Sequence, residues 1–308
     1  MNNLEYSNLE ASLDFKFKNA LKKHRNGEIL LAQGDYYFIL QNSPRHYKAL
    51  NLLSETYFQQ NNFKKSKQLL EESLSIQHDV FDTLYKLAFC LMKLDELNEA
   101  LVYYKQCIYL QPKNFILYAD IALTYKKLKK FDEAIENYNI SISINPSLDK
   151  LYNNRGNVFL DLKNYSKAII DYKKAIEINP NYYQCLTNLG NSFLKLNLID
   201  QAEKTLEKSI LLNNFYADSH LSMGMIKVVR NNLDEGISDF NKAISIDNNN
   251  AQYYMNKSMA LLLKGEFTEG WKFYEWRLKL PNRTDISKLN DKQRWHGKKN
   301  LENKTILL

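Results

Sequence analysis

The chain has 308 residues, 44% of them hydrophobic, and a formal charge of +7 at neutral pH. Its 9 glycines and 5 prolines are too few for a turn-rich β fold, and no apolar run approaches the roughly 18 residues that a membrane span needs. The charge excess is lysine interleaved with Asp and Glu. Arginine, whose forked donors specific phosphate recognition favours, is scarce, so nucleic acid is not an expected partner.

Residues 1–12 read as a leader, without the basic start and apolar middle of a signal peptide. From Leu13 the chain advances in gapless steps of 34 residues, starting at Leu13, Tyr47, Phe81, Phe115, Asp149, Tyr183, Ala217 and Ala251. The expected organisation is eight units over residues 13–284, followed by a non-repeat segment at 285–308. The eighth residue of each unit is small: Ala20, Ser54, Ala88, Ala122, Gly156, Gly190, Gly224 and Ser258. The twentieth is small as well, running Ala32, Ser66, Ala100, Ala134, Ala168, Ala202, Gly236 and Gly270. The twenty-fourth is large throughout: Tyr36, Leu70, Tyr104, Tyr138, Tyr172, Leu206, Phe240 and Tyr274. The first unit is degenerate, with Lys16, Asn19 and Lys23 where later units carry apolar residues, as suits a terminal cap. The lysine cluster from Lys126 to Lys130 falls at the turn of the fourth unit and reads as a solvated helix end.

The fifth unit, residues 149–182, shows the physics most plainly. Two short amphipathic stretches meet at a tight turn near Asn164, and Pro180 ends the second, because proline cannot donate the next helical hydrogen bond. Gly156 and Ala168 let two helix backbones approach closely, while Tyr172 fills the wider space one turn on. This spacing resembles the tetratricopeptide (TPR) pattern. The resemblance implies an all-α TPR superhelical solenoid, in which neighbouring helix pairs bury the stripes that none can bury alone.

Catalysis has little to stand on. His24, His46, His78, His220 and His296 are scattered, and neither a glycine-rich phosphate loop nor a GxSxG elbow occurs. No catalytic residue, metal ligand or cofactor is therefore assigned. Cys90, Cys107 and Cys185 are odd in number and far apart, which suits core or groove positions in a reducing compartment; the expected location is the cytoplasm.

Binding has more support. In TPR-like stacks the second, fifth, sixth and ninth positions of each first helix line a concave groove. Here these positions include Asn153, Asn154, Asn157, Asn188, Asn191 and Asn256. A side-chain amide pairs with a peptide unit's N–H and C=O together, so such a file can hold an extended chain by its backbone. It resembles the asparagine ladder of O-GlcNAc transferases, and a merely wet polar face reads from the same residues. A carboxylate clamp is excluded, because Asp218 and Ser222 stand where positive charge is needed. Further on the groove turns apolar through Leu221, Met225, Met255 and Met259, with Val229 and Leu263 on the same faces. Such a surface suits an adaptable apolar partner or a docked C-terminal domain.

From Gly265 a second signature begins. Gly265, Glu266, Phe267, Thr268, Glu269, Gly270 and Trp271 are followed by Tyr274, Glu275, Trp276 and Arg277. Then come Arg294, Trp295, His296 and Gly297, and the run Lys304, Thr305, Ile306, Leu307 and Leu308. The succession resembles the junction in bacterial TPR glycosyltransferase-like proteins, relatives of O-GlcNAc transferase and SPINDLY in their repeats. There such a run opens a nucleotide-sugar-type α/β domain, and none of that domain's catalytic motif is present in this sequence. The resemblance implies a protein- or peptide-binding scaffold, the substrate-presenting arm of a glycosyltransferase-like protein. The alternative is a nucleotide-sugar-dependent protein O-glycosyltransferase whose catalytic domain lies beyond the chain. Residues 285–308 are expected to be a linker and the first strand of a missing or truncated domain, with order lost after Pro281. Trp271 and Trp276 are expected to stay packed in the last repeat.

Overall fold

The computed structural model describes residues 3–280, with side chains from residue 11 on. The expectations for the linker and the apolar run lie outside these residues. Among the described residues there are sixteen α-helices and one short 3₁₀ segment, with no strand, so the chain is an all-α helical-repeat solenoid. It divides into two compact units, Met1–Leu162 and Lys163–Leu308.

In the first unit α1 (Asn3–Arg25) pairs with α2 (Ile29–Asn42), and α3 (Tyr47–Gln59) with α4 (Phe63–Ile76). α5 (Phe81–Lys93) then pairs with α6 (Leu97–Leu110), α7 (Phe115–Lys127) with α8 (Phe131–Ile144), and α9 (Asp149–Asp161) is the last helix. The second unit starts with α10 (Tyr165–Ile178). It continues with the pairs α11 (Tyr183–Lys195) and α12 (Ile199–Leu212), then α13 (Ala217–Val229) and α14 (Leu233–Ile246). The last pair is α15 (Ala251–Lys264) and α16 (Phe267–Tyr274), followed by the 3₁₀ segment Glu275–Lys279.

The turn inside each pair rests on one left-handed residue. Gly27 (φ +81°), Asn61 (+57°), Asp95 (+66°), Lys129 (+59°), Asn197 (+57°), Asn231 (+62°) and Gly265 (+89°) all occupy it. The next N–H reaches back five residues, as in Asn62 to the Tyr57 carbonyl at 2.8 Å and Lys130 to the Tyr125 carbonyl at 2.9 Å. This is the Schellman arrangement, which satisfies carbonyls that the helix end leaves open. Gly tolerates positive φ freely and Asn or Asp moderately, whereas Lys carries a steric cost there. Lys129→Gly is therefore expected to stabilise the chain by about 0.5–1 kcal/mol. An unchanged or lower urea midpoint would show that the turn is not strained.

Packing follows the small–small–large pattern. In the first unit Ala20 with Ala32, Ser54 with Ser66, Ala88 with Ala100 and Ala122 with Ala134 are all fully buried, as are Tyr36, Leu70, Tyr104 and Tyr138. Buried serines on α4, α8 and α12 tie these second helices to the start of their partners. Ser141 Oγ donates to the Phe115 carbonyl at 2.8 Å in the first unit, and Ser209 Oγ to the Tyr183 carbonyl at 2.8 Å in the second.

The second unit brings backbones closer still. A Cβ added at Gly224 would lie 2.6 Å from the Phe240 ring and 3.0 Å from the Gly236 carbonyl oxygen. One added at Gly236 would lie 3.0 Å from the Gly224 carbonyl oxygen, so α13 and α14 cross with glycine against glycine. Gly190 instead faces Leu206, at 2.7 Å from a built Cβ.

In the last pair Trp276 stacks on Tyr254, with ring centroids 3.8 Å apart and planes 4° from parallel. Trp271 departs from expectation: it is 57% exposed. Gly270 packs against Leu262 of α15, and a helix turns about 100° per residue, which carries its neighbour Trp271 outward.

Candidate peptide-binding surfaces

The first helices of successive pairs touch one another in each unit: α1 with α3 and α7 with α9 in the first, α11 with α13 and α13 with α15 in the second. The side chains on these helices are the candidate binding surface.

In the first unit the surface is cross-linked by polar bridges. Asn51 Nδ2 donates to Thr83 Oγ1 at 2.8 Å, Lys86 pairs with Glu55, and the Tyr85 hydroxyl donates to Asp120 Oδ2 at 2.7 Å. Asp120 is half-buried, and burial pushes its carboxyl up to about 6, against the opposing pull of the Tyr85 hydrogen bond and of Lys93. Burial first, then the charge of Asp120, holds the Tyr85 hydroxyl well above its ordinary range. The hydroxyls of Tyr104 and Tyr138 are buried without a hydrogen-bond partner among the described residues. Both are raised by burial first and by Asp120 next.

On α9, Asn153 is only 6% exposed and donates Nδ2 to Asn154 Oδ1 at 3.3 Å. Asn154 and Asn157 are half-buried. The amides named from sequence thus split here, one turned inward and two reaching the surface.

In the second unit Asn188 and Asn191 lie half-buried on α11, and Ser222 of α13 donates to Asn191 Oδ1 at 2.6 Å. Asn256 on α15 donates to the Gln252 carbonyl of its own helix at 2.9 Å. Asp218 accepts from the Tyr253 hydroxyl at 2.7 Å, so the acid that excludes a carboxylate clamp is itself tied down. Beyond the amides the surface is apolar. Leu221 packs on the cluster of Ala217, Ala243 and Tyr253, and Met225 and Met255 are half-buried. Val229, Met259 and Leu263 are 62%, 51% and 64% exposed.

Elsewhere reactive groups are quenched. All three cysteines are free and buried, and burial pushes Cys107 up to about 12, which removes the thiolate a nucleophile needs. Lys126 and Lys127 of the lysine cluster pair with Asp161 at 3.3 Å and Asp95 at 3.7 Å. Among the described residues no three His, Cys, Asp or Glu side chains are placed to hold a metal ion, and no helix is long and apolar enough to cross a membrane.

The sequence reading missed the Tyr85–Asp120 bridge. Its signal was present: Asp120 is the acid at a sixth position that elsewhere in units three to eight reads Lys86, Asn154, Asn188, Ser222 and Asn256.

Comparison with known proteins agrees with this architecture. Sequence profiles described as tetratricopeptide repeat match residues 150–182 and 171–204, and one described as TPR repeat matches 124–163. A profile of anaphase-promoting complex, cyclosome, subunit 3 matches residues 26–107. No curated protein matches the sequence. Among solved structures, a tetratricopeptide repeat protein from Parabacteroides merdae superposes with a TM-score of 0.67 at 16% identity, over 82% of this chain and 99% of that one. The C-terminal part of a TPR repeat-containing protein from Cytophaga hutchinsonii gives 0.62 at 15% identity, over 78% of this chain and 98% of that one. A chain of the APC/C hetero-tetramer Cut9–Hcn1 gives 0.61 at 17% identity, over 79% of this chain and 48% of that one. The chain carries tetratricopeptide repeats, and its fold is that of TPR structures.

Proposed function

We propose that this TPR chain is a scaffold that binds an extended peptide along the first helices of its repeats. The observation that carries the reading is the surface of the second unit. Half-buried amides at Asn188 and Asn191 on α11 are followed along the touching first helices by exposed Val229 on α13 and exposed Met259 and Leu263 on α15. Amides can pair with a peptide backbone, and exposed apolar side chains on the next first helices favour a partner that covers them. In the first unit Asn154 and Asn157 offer the same chemistry.

The test is selection of a phage-displayed dodecapeptide library on the full chain. Asn188→Ala with Met259→Asp should lower the affinity of the enriched peptides by about tenfold, at an unchanged melting temperature. No enrichment over an unrelated helical protein, or full retention in the double variant, would overturn the reading.

A finer reading makes this scaffold the substrate-presenting arm of a glycosyltransferase-like protein working in the cytoplasm. Its support is the succession beginning at Gly265, of which the part from residue 281 lies outside the described residues, together with three free cysteines that suit a reducing compartment. Gene sequence following the codon for Leu308 that encodes a nucleotide-sugar-type α/β domain is the expected result. An unrelated or absent continuation would remove the glycosyltransferase part and leave the scaffold.

A further inference from the structure

We infer that the first unit captures an arginine side chain of the bound peptide, with Asp120 as the counter-charge and Tyr85 as its positioning partner. The inference rests on the peptide-binding reading above and names the partner's chemistry. Asp120 sits on α7, on the same first-helix surface, held by the Tyr85 hydroxyl at 2.7 Å through Oδ2 alone. Among the described residues no cation forms an ion pair with it; Lys93 acts only from longer range. A half-buried carboxylate with one neutral donor is short of partners, and removing it from water is costly unless a cation is supplied. The same volume is undersupplied in another way. The buried hydroxyls of Tyr104 and Tyr138 have no partner among the described residues, and both lie within electrostatic reach of Asp120.

The partner of the carboxylate is itself an aromatic ring with ring neighbours. Tyr85 stacks with Phe81, centroids 6.1 Å apart and planes 4° from parallel, and its ring centroid lies 6.1 Å from that of Tyr104. A guanidinium offers several N–H donors in a plane and stacks on such rings, which favours arginine over lysine. The titratable or charged groups that interact with Asp120 are Tyr85 and Lys93 from α5, Tyr104 from α6, and Tyr138 from α8. Of these groups, Asp120 itself is the one whose charge changes near pH 6.

Two readouts on the full chain test the inference separately from the groove. In the first, N-acetyl-arginine methylamide is titrated while the labelled Asp120 carboxyl is followed by NMR. A saturable shift is expected that fades as pH falls through 6 and is missing with the neutral citrulline analogue. In the second, alternating Ala–Ser dodecapeptides with a central Arg, Lys or citrulline are compared. Arginine should bind about tenfold more tightly than citrulline, and the ratio should fall to one in Asp120→Asn. That variant should fold, because Asn occupies the same place at Asn154, Asn188 and Asn256. Equal behaviour of arginine and citrulline in both readouts overturns the inference. Dodecapeptides that bind alike whatever the central residue leave the groove reading intact without the arginine site. A response to the amide with no dodecapeptide bound leaves the arginine site intact without the groove.

Discussion

Asp120→Asn is expected to stabilise the chain at pH 7 by about 2 kcal/mol, and to change its stability little at pH 3.5. The carboxyl is raised from its ordinary 3.8 to about 6, because burial penalises the charged form more than the Tyr85 hydrogen bond and Lys93 favour it. The native state therefore holds the proton more tightly than the unfolded chain does. The stability linked to that proton is fully present below about pH 3.8 and is lost as pH rises through about 6. A shift of this size converts to about 3 kcal/mol, and partial exposure of the side chain brings it to about 2. Asparagine keeps an acceptor for the Tyr85 hydroxyl and carries no charge, so its stability should not fall over this range. Denaturant titrations of both proteins from pH 3.5 to 7.5 check the claim. Curves that stay parallel throughout would mean that Asp120 is solvated like an ordinary surface acid. The cost of the ionised acid and the proposed capture of arginine have one cause, a carboxylate placed without its counter-ion.

Gly224→Leu is expected to cost about 2–3 kcal/mol, the largest loss among single changes at the helix crossings. The first added carbon would already sit 2.6 Å from Phe240, which is 1% exposed and has no free volume to move into. It would also sit 3.0 Å from a backbone oxygen, that of Gly236, which can give way only if α14 shifts as a whole. Helix propensity returns up to about 1 kcal/mol, so the steric term must exceed the net figure. The same change at Gly190 should be milder, since the nearest atoms there belong to the end of Leu206, a rotatable side chain. Gly34→Ala is the control: nothing lies within 4 Å of a Cβ at Gly34, and the substitution should stabilise by up to about 1 kcal/mol. Thermal melts of the three variants give the order directly. A Gly224 variant that melts like wild type would mean that the α13–α14 crossing is looser than drawn.

The helical-repeat fold was legible in the sequence because it depends on spacing. Ala20 against Ala32 or Ala88 against Ala100 can meet only where two helices cross, and Tyr36, Tyr104 and Tyr138 four residues beyond the second small residue fill the space that opens beside the crossing. Such a pattern recurs at fixed intervals and involves near neighbours in the chain, so its meaning does not wait on distant contacts. The left-handed turn residue came from the structure, although Gly27, Asn61, Asp95 and Gly265 carry a composition signal for it. Lys129 concealed it, being tolerated there by the Schellman hydrogen bonds rather than by its own preference.

The binding surfaces were legible only as positions. Sequence placed Asn153, Asn154 and Asn188 on the faces of first helices, but a helical wheel cannot say how deep a face is buried once its neighbours dock. Tertiary packing turned Asn153 inward onto Asn154 and left Asn188 half-exposed; it also left Met259 open to solvent while Leu221, partly buried, packs against the core. It likewise sent Trp271 outward while Trp276 closed on Tyr254. The Tyr85–Asp120 bridge joins residues 35 apart in the chain, and the rise in the Asp120 pKa depends on what α5, α6 and α8 exclude around it. Periodicity fixes which residues share a helix face. Desolvation, and with it the chemistry of a half-buried acid or amide, is a property of the neighbours that assemble around that face.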